Sequence, residues 1–320
     1  MNDAFQFFGS LPSKTRLFLV GAAWVALFHF LGNSTFGYSD TPSLFSWLRA
    51  VYAANPDDAI GYLIPPLILF LLYLRRDELM PLEKRPWAPA LPLLALALLI
   101  HATGYLVQQA RLSVVACGVG IYALTGLMWG PGWLRKTAFP FALLIFVVPI
   151  TAYSTGLTFP LRLLSTKLAV GLCTTLLNLD LIRQGTTVFH ALPDGRMGFE
   201  FDVAPACSGI RSLTVVFLLT LVYGYLQFTS WWRRAALLVA AIPLAVLANV
   251  IRLSIVFTVG EAWGGEAGKR IETNLGFITF LVGLGGVLLL GRWLRERPAA
   301  AGAGPAEPPP GSPSTALPVP

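Results

Sequence analysis

Ala235–Val259 reads AALLVAAIPLAVLANVIRLSIVFTV, and this stretch decides the fold class. A helix rising 1.5 Å per residue carries it about 37 Å, more than the hydrocarbon core of a bilayer needs. Its single charge is Arg252. Comparable apolar runs fall at Leu17–Leu31, Ala59–Leu74, Ala88–Val107, Leu112–Gly130, Phe139–Tyr153, Ser208–Leu226 and Leu275–Leu290. Together they predict an all-α, polytopic membrane protein with about eight transmembrane helices.

Composition points the same way: 55% of the residues are hydrophobic and only 12% charged, too few to solvate a soluble chain of this size. The lipid bilayer is therefore the first partner. A net charge of +7 does not imply nucleic acid, because the basic residues stand in short clusters between apolar runs. These are Arg75/Arg76, Lys84/Arg85, Arg135/Lys136, Arg233/Arg234 and Arg292/Arg295/Arg297. Such clusters fix topology. Placing Arg75–Arg85, Leu134–Lys136, Trp231–Arg234 and Arg292–Arg297 in the cytoplasm makes the helices alternate, with both termini inside a multi-pass protein of the cell (inner) membrane. Lys14 and Arg16 precede the first run with no small-residue cleavage site after it, which reads as a retained helix. Cys117, Cys173 and Cys207 lie far apart with no CxxC spacing, so neither a disulfide framework nor a metal centre is suggested, and nothing implies a cofactor.

Thr158–Leu179 is long enough to cross, but it carries Arg162 and Lys167, and counting it as a span would put Arg233/Arg234 outside. It is assigned instead to an amphipathic or re-entrant helix at the outer surface, residues 158–179. Residues 180–206 alternate apolar and polar side chains around the turn signal Pro193-Asp194-Gly195, which predicts a small extracytoplasmic β-hairpin. The membrane domain then covers residues 1–297. The Pro/Ala/Gly-rich tail, 298–320, cannot bury a core and is expected to be disordered in the cytoplasm. No internal repeat is visible, which removes support for a transporter built of paired halves.

This topology brings Cys207, Arg252 and the loop Glu261–Glu272 to the same outer face. Cys207 opens its helix after Ala204-Pro205-Ala206, where the helix dipole favours thiolate, and Arg211 follows one turn on, on the same face. Arg252, within a span and with no acidic neighbour in its own helix, should face the bundle interior and a partner. Taken singly, a membrane cysteine is most often a small packing residue, and Cys117 and Cys173 keep that reading. His29 and His101 are isolated in or at the ends of spans. His190, in the hairpin, reads as a surface histidine.

With these residues in view the chain resembles the exosortase/archaeosortase membrane proteins, a family of cysteine transpeptidases or proteases that sort secreted proteins. The resemblance rests first on Ala206-Cys207-Ser208-Gly209-Ile210-Arg211-Ser212-Leu213, similar to the family's cysteine motif. Asn249-Val250-Ile251-Arg252 is similar to its arginine motif one helix later. Gly61-Tyr62-Leu63-Ile64-Pro65-Pro66 running to Leu74-Arg75-Arg76, and Phe139-Pro140 to Pro149, add weaker support. The family's third catalytic residue is a histidine opening an H-x-x-x-G-[FW]-x-x-F pattern. Here that pattern starts at Glu272 and runs through Gly276-Phe277 to Phe280, and no histidine follows Cys207.

The resemblance implies a catalytic set of Cys207, Arg252 and Glu272, supported by Arg211, Ser208 and Asn249. Cys207 would be the nucleophile, Arg252 would stabilise thiolate or oxyanion, and Glu272 would act as base. Carboxylates can serve as bases where burial raises their pKa toward neutrality. The implied substrates are membrane-anchored proteins with a C-terminal sorting signal of motif, transmembrane helix and basic tail, cut at the extracytoplasmic face through a thioester. The alternative is a catalytically impaired member that acts as a membrane binding or assembly factor for exported proteins or polysaccharide.

Overall fold

A computed structural model of the chain describes residues 9, 11–35, 40–149, 151–191, 197–202 and 210–295. In chain order it forms helices α1 (Lys14–Phe30), α2 (Leu44–Ala54), α3 (Ile64–Leu74), α4 (Leu91–Leu106), α5 (Ala110–Ala142) and α6 (Thr151–Leu176). Strands β1 (Leu181–Gln184), β2 (Thr187–Ala191) and β3 (Met197–Asp202) follow, and then α7 (Ile210–Gln227), α8 (Trp231–Trp263), α9 (Gly265–Asn274) and α10 (Gly276–Trp293). α1, α3, α4, α7, α8 and α10 fall on six of the apolar runs. Among the described residues three helical stretches are long and apolar enough to cross a membrane: Ala88–Leu106, Ala110–Val147 and Trp231–Trp263. Apolar helices over Asp58–Leu74, Thr214–Gln227 and Phe280–Trp293 are shorter. The protein is therefore a helical membrane protein, and the count of eight spans rests on the sequence.

The runs Leu112–Gly130 and Phe139–Tyr153 take a form that periodicity does not reveal. α5 contains both arms of a helical hairpin, broken at Gly130 by φ 89° and ψ −179°. That backbone suits glycine, and Pro131 behind it has a φ preset for the first turn of the second arm. The arms are tied across the break by the Tyr122 hydroxyl, which donates to the Leu134 carbonyl at 2.7 Å. A 3-10 segment, Leu143–Val147, continues the second arm back to the start of the first, where the Arg111 guanidinium meets the Pro149 carbonyl at 2.8 Å.

Three of the basic clusters converge at one end of the molecule. Lys136 in the second arm of α5 pairs with Glu78 at 2.8 Å, and Glu78 also accepts from Arg75 at 2.6 Å. Arg75 and Arg234 lie over the Tyr225 ring, 4.5 and 5.7 Å from its centroid. α8 leaves this end and runs away from it.

At its far half α8 meets α6 and the sheet. The strands are antiparallel in the order β1-β2-β3, with Leu181 opposite His190 and Thr187 opposite Asp202. The expected hairpin is thus β2–β3, and β1 adds a third strand through a turn at Gly185, φ 66°. The turn residues Pro193-Asp194-Gly195 and the tail 298–320 lie outside the described residues. Alternation along the strands sends Leu181, Val188, Phe199 and Phe201 into a core with Ala169 and Cys173 of α6 and Leu253, Val256 and Phe257 of α8. The segment Glu261–Glu272, taken from sequence as a loop, is mostly helical, because α8 runs to Trp263 and α9 begins at Gly265 after Gly264 turns the chain at φ 88°.

Candidate active site

Arg252 is 6% exposed, in the upper part of α8. A guanidinium inside an apolar helix needs a partner, and its Nη2 donates to the main-chain carbonyl of Glu272 at 2.8 Å. That carbonyl belongs to the last turn of α9, where helical carbonyls lack an intrahelical acceptor role and a cation complements the dipole. Two residues chosen from separate sequence patterns are thereby joined. The Glu272 side chain is half-buried.

Helix register gives the height of this contact. α7 and α8 leave the same short turn, 228–230, in opposite chain directions and pack together. At equal rise they reach the same level near Ile210 and Ala248. The start of α7 therefore stands level with Asn249 and Arg252. Cys207 and Ser208 lie outside the described residues, as does the side chain of Arg211. Asn249 is 2% exposed and, one turn before Arg252, shares its face of α8.

His190 departs from expectation. It is buried rather than on the surface, its Nε2 lies 2.8 Å from Oε2 of Glu261, and its ring stacks on Phe199 at 5.0 Å. The sequence signal was the strand period: His190 follows fully buried Val188 by two residues and so shares its inward face. Glu261 stands about 13 Å beyond Arg252 along α8. At that separation the pair fastens the sheet to the end of α8 and does not touch the Arg252–Glu272 contact.

The remaining candidates are structural. Cys117 and Cys173 are buried, and the Cys173 thiol faces the Ser254 carbonyl at 3.9 Å. His29 and His101 bond the hydroxyls of Ser43 and Ser113 at 3.1 and 3.0 Å. Among the described residues no three His, Cys, Asp or Glu side chains gather into a group that could hold a metal ion.

No curated protein and no solved structure matches the chain. The family model described as transmembrane exosortase matches residues 47–289, a span that holds the Cys207, Arg252 and Glu272 motifs, and the chain belongs to the transmembrane exosortase family.

Proposed function

We propose that this protein is a membrane-embedded cysteine protease or transpeptidase that processes C-terminal sorting signals of exported proteins at the extracytoplasmic face. The observation that carries the reading is the partly buried Arg252–Glu272 contact, which joins the family's arginine position to its third catalytic position at the level where α7 starts. Cys207 precedes Ile210 by three residues, so chain connectivity keeps the two Cα atoms within roughly 11 Å. In the reaction the Cys207 thiolate attacks the scissile carbonyl carbon and Arg252 stabilises the oxyanion that forms. The C–N bond breaks, and the leaving amine takes the proton that Glu272 drew from the Cys207 thiol. Glu272 then accepts a proton from the water or amine that attacks the thioester, which releases the product and restores the thiol. Arg211, Ser208 and Asn249 support these groups.

The topology proposed with it has about eight spans, basic clusters and both termini in the cytoplasm, and the sheet outside, in the cell membrane. The convergence of Arg75, Lys136 and Arg234 at one end, with the sheet at the other end of α8, supports it. The glutamate in place of the family histidine favours a second reading, a binding or assembly factor that does not cut. Co-expression with a candidate tailed substrate separates the two. Mass spectrometry should find a new substrate C-terminus with the wild type and none with Cys207→Ala; an uncut, co-purifying substrate in both would establish the binding factor.

A further inference from the structure

Asn249 is a buried polar group at the level of the candidate site. It sits in an apolar stretch of α8, is 2% exposed, and among the described residues neither its Nδ2 nor its Oδ1 has a hydrogen-bond partner. A buried carboxamide without partners forfeits the hydration of two groups and gains nothing in return, so a purely structural residue here would be leucine. If it served as glue between helices, it would bond across one, as polar residues in membrane bundles do. Among the described residues the Ser254 hydroxyl is also unbonded, but that rotor sits two residues past Arg252, on a different face. Asn249 instead shares the face of Arg252, whose guanidinium already reaches Glu272.

We infer that Asn249 is a receptor for the main chain of the substrate, and this rests on the reading of the site as one that takes a membrane-anchored peptide. An extended segment presents the N–H and C=O of one residue on the same edge. A carboxamide matches that edge, with Nδ2 donating to the carbonyl and Oδ1 accepting from the N–H. The need is particular to this depth. A substrate helix that unwinds for cleavage exposes backbone groups where no water satisfies them, and the enzyme must supply the partners. Asn249 supplies them one turn from Arg252, so the residue it holds is adjacent to the bond whose oxyanion Arg252 faces. Asn249 is thus a positioning residue.

The test uses the full-length protein in detergent and a synthetic peptide carrying the C-terminal helix and basic tail of a protein encoded in the same genome. Asn249→Leu removes the carboxamide at nearly constant volume. In the Cys207→Ala background it should weaken peptide binding about tenfold or more, while the melting temperature holds or rises. Unchanged binding overturns the inference. A lowered melting temperature overturns it as well, because it shows that the carboxamide stabilises the fold. Asn249→Cys, a small uncharged replacement, gives a second measure: it should cross-link to a cysteine at one position of the peptide, and failure at every position counts against the inference. The binding arm does not use the thiol. If Cys207→Ala leaves processing intact, the cysteine mechanism fails and Asn249 is still judged by binding.

Discussion

Because Arg252 is held by the main chain of Glu272, exchanging the Glu272 side chain leaves that contact in place and isolates the carboxylate's chemistry. Glu272→Gln keeps size and hydrogen bonding but cannot take a proton. If the carboxylate is the base, processing should fall by about a hundredfold or more at normal protein levels, measured as the rate at which the trimmed substrate accumulates. Glu272→His restores the family pattern and should retain or raise the rate. Wild-type processing by Glu272→Gln alongside an inactive Cys207→Ala would remove Glu272 from the mechanism. Arg252 behaves differently, because it is both support and reagent. Arg252→Ala strips the α9 carbonyl of its partner and should cost about 1–3 kcal/mol of stability as well as activity. Arg252→Lys keeps the charge without the planar fork, and should therefore separate the two roles, with a smaller loss of melting temperature than Ala and a comparable loss of rate.

At the scale of elements, the apolar face of the sheet packs closely because its phenyl rings pass over glycines of α8 and α9. A Cβ on Gly260 of α8 would come within 2.8 Å of the Phe201 ring, one on Gly268 of α9 would collide with the same ring, and one on Gly265 would stand 3.0 Å from Phe199. Gly268→Val should therefore lift β3 off α9. Limited proteolysis would detect it as faster cleavage within residues 181–202 with the membrane helices still intact, and processing should drop with it. At the opposite end, Lys136 and, to a lesser degree, Arg75 hold the Glu78 carboxyl below its ordinary value. A depressed carboxylate contributes stability above its unfolded pKa and loses it as pH falls through the folded one. The pair is half exposed, so the term is about 0.5 kcal/mol, and the melting-temperature advantage of wild type over Glu78→Gln should vanish between roughly pH 5 and pH 3. The apolar elements were legible because a bilayer demands some twenty consecutive apolar residues, a pattern that soluble context cannot blur. α2, α9 and β1 were not, since each is short and owes its form to what it packs on. Polar groups divide the same way: Arg252 stands out as a charge in apolar sequence, whereas the partner that buries His190 outside the candidate site is Glu261, on another element, which no local pattern discloses.

For the whole molecule, everything about the site depends on which side of the membrane the sheet occupies, and that reduces to whether α6 crosses. Length does not decide, because 26 residues rise about 39 Å, enough to span. Geometry and charge favour the outer placement proposed above. The chain enters α6 just after Pro149, bonded to Arg111 at the start of α5, away from the basic end where Lys136 and Glu78 meet. It leaves α6 beside Ser254 and β1, again in the half of α8 remote from Arg234. Two ends that lie toward the same pole of the molecule favour a helix that leaves and returns to one face. Crossing would also set Arg162 and Lys167 within hydrocarbon at about 2.5–3.5 kcal/mol each near its centre, and would carry Arg233 and Arg234 to the outside against the positive-inside bias. Reporter fusions after Arg76, Lys136, Arg234 and Arg297 should accordingly read cytoplasm, and fusions at Gly195 and Gly265 the outside. The Gly195 fusion is the decisive one. A cytoplasmic signal there would make α6 a true span, invert every element behind it, and place Cys207 on the wrong side of the membrane for a sorting enzyme, whatever the substitutions at Glu272 had shown.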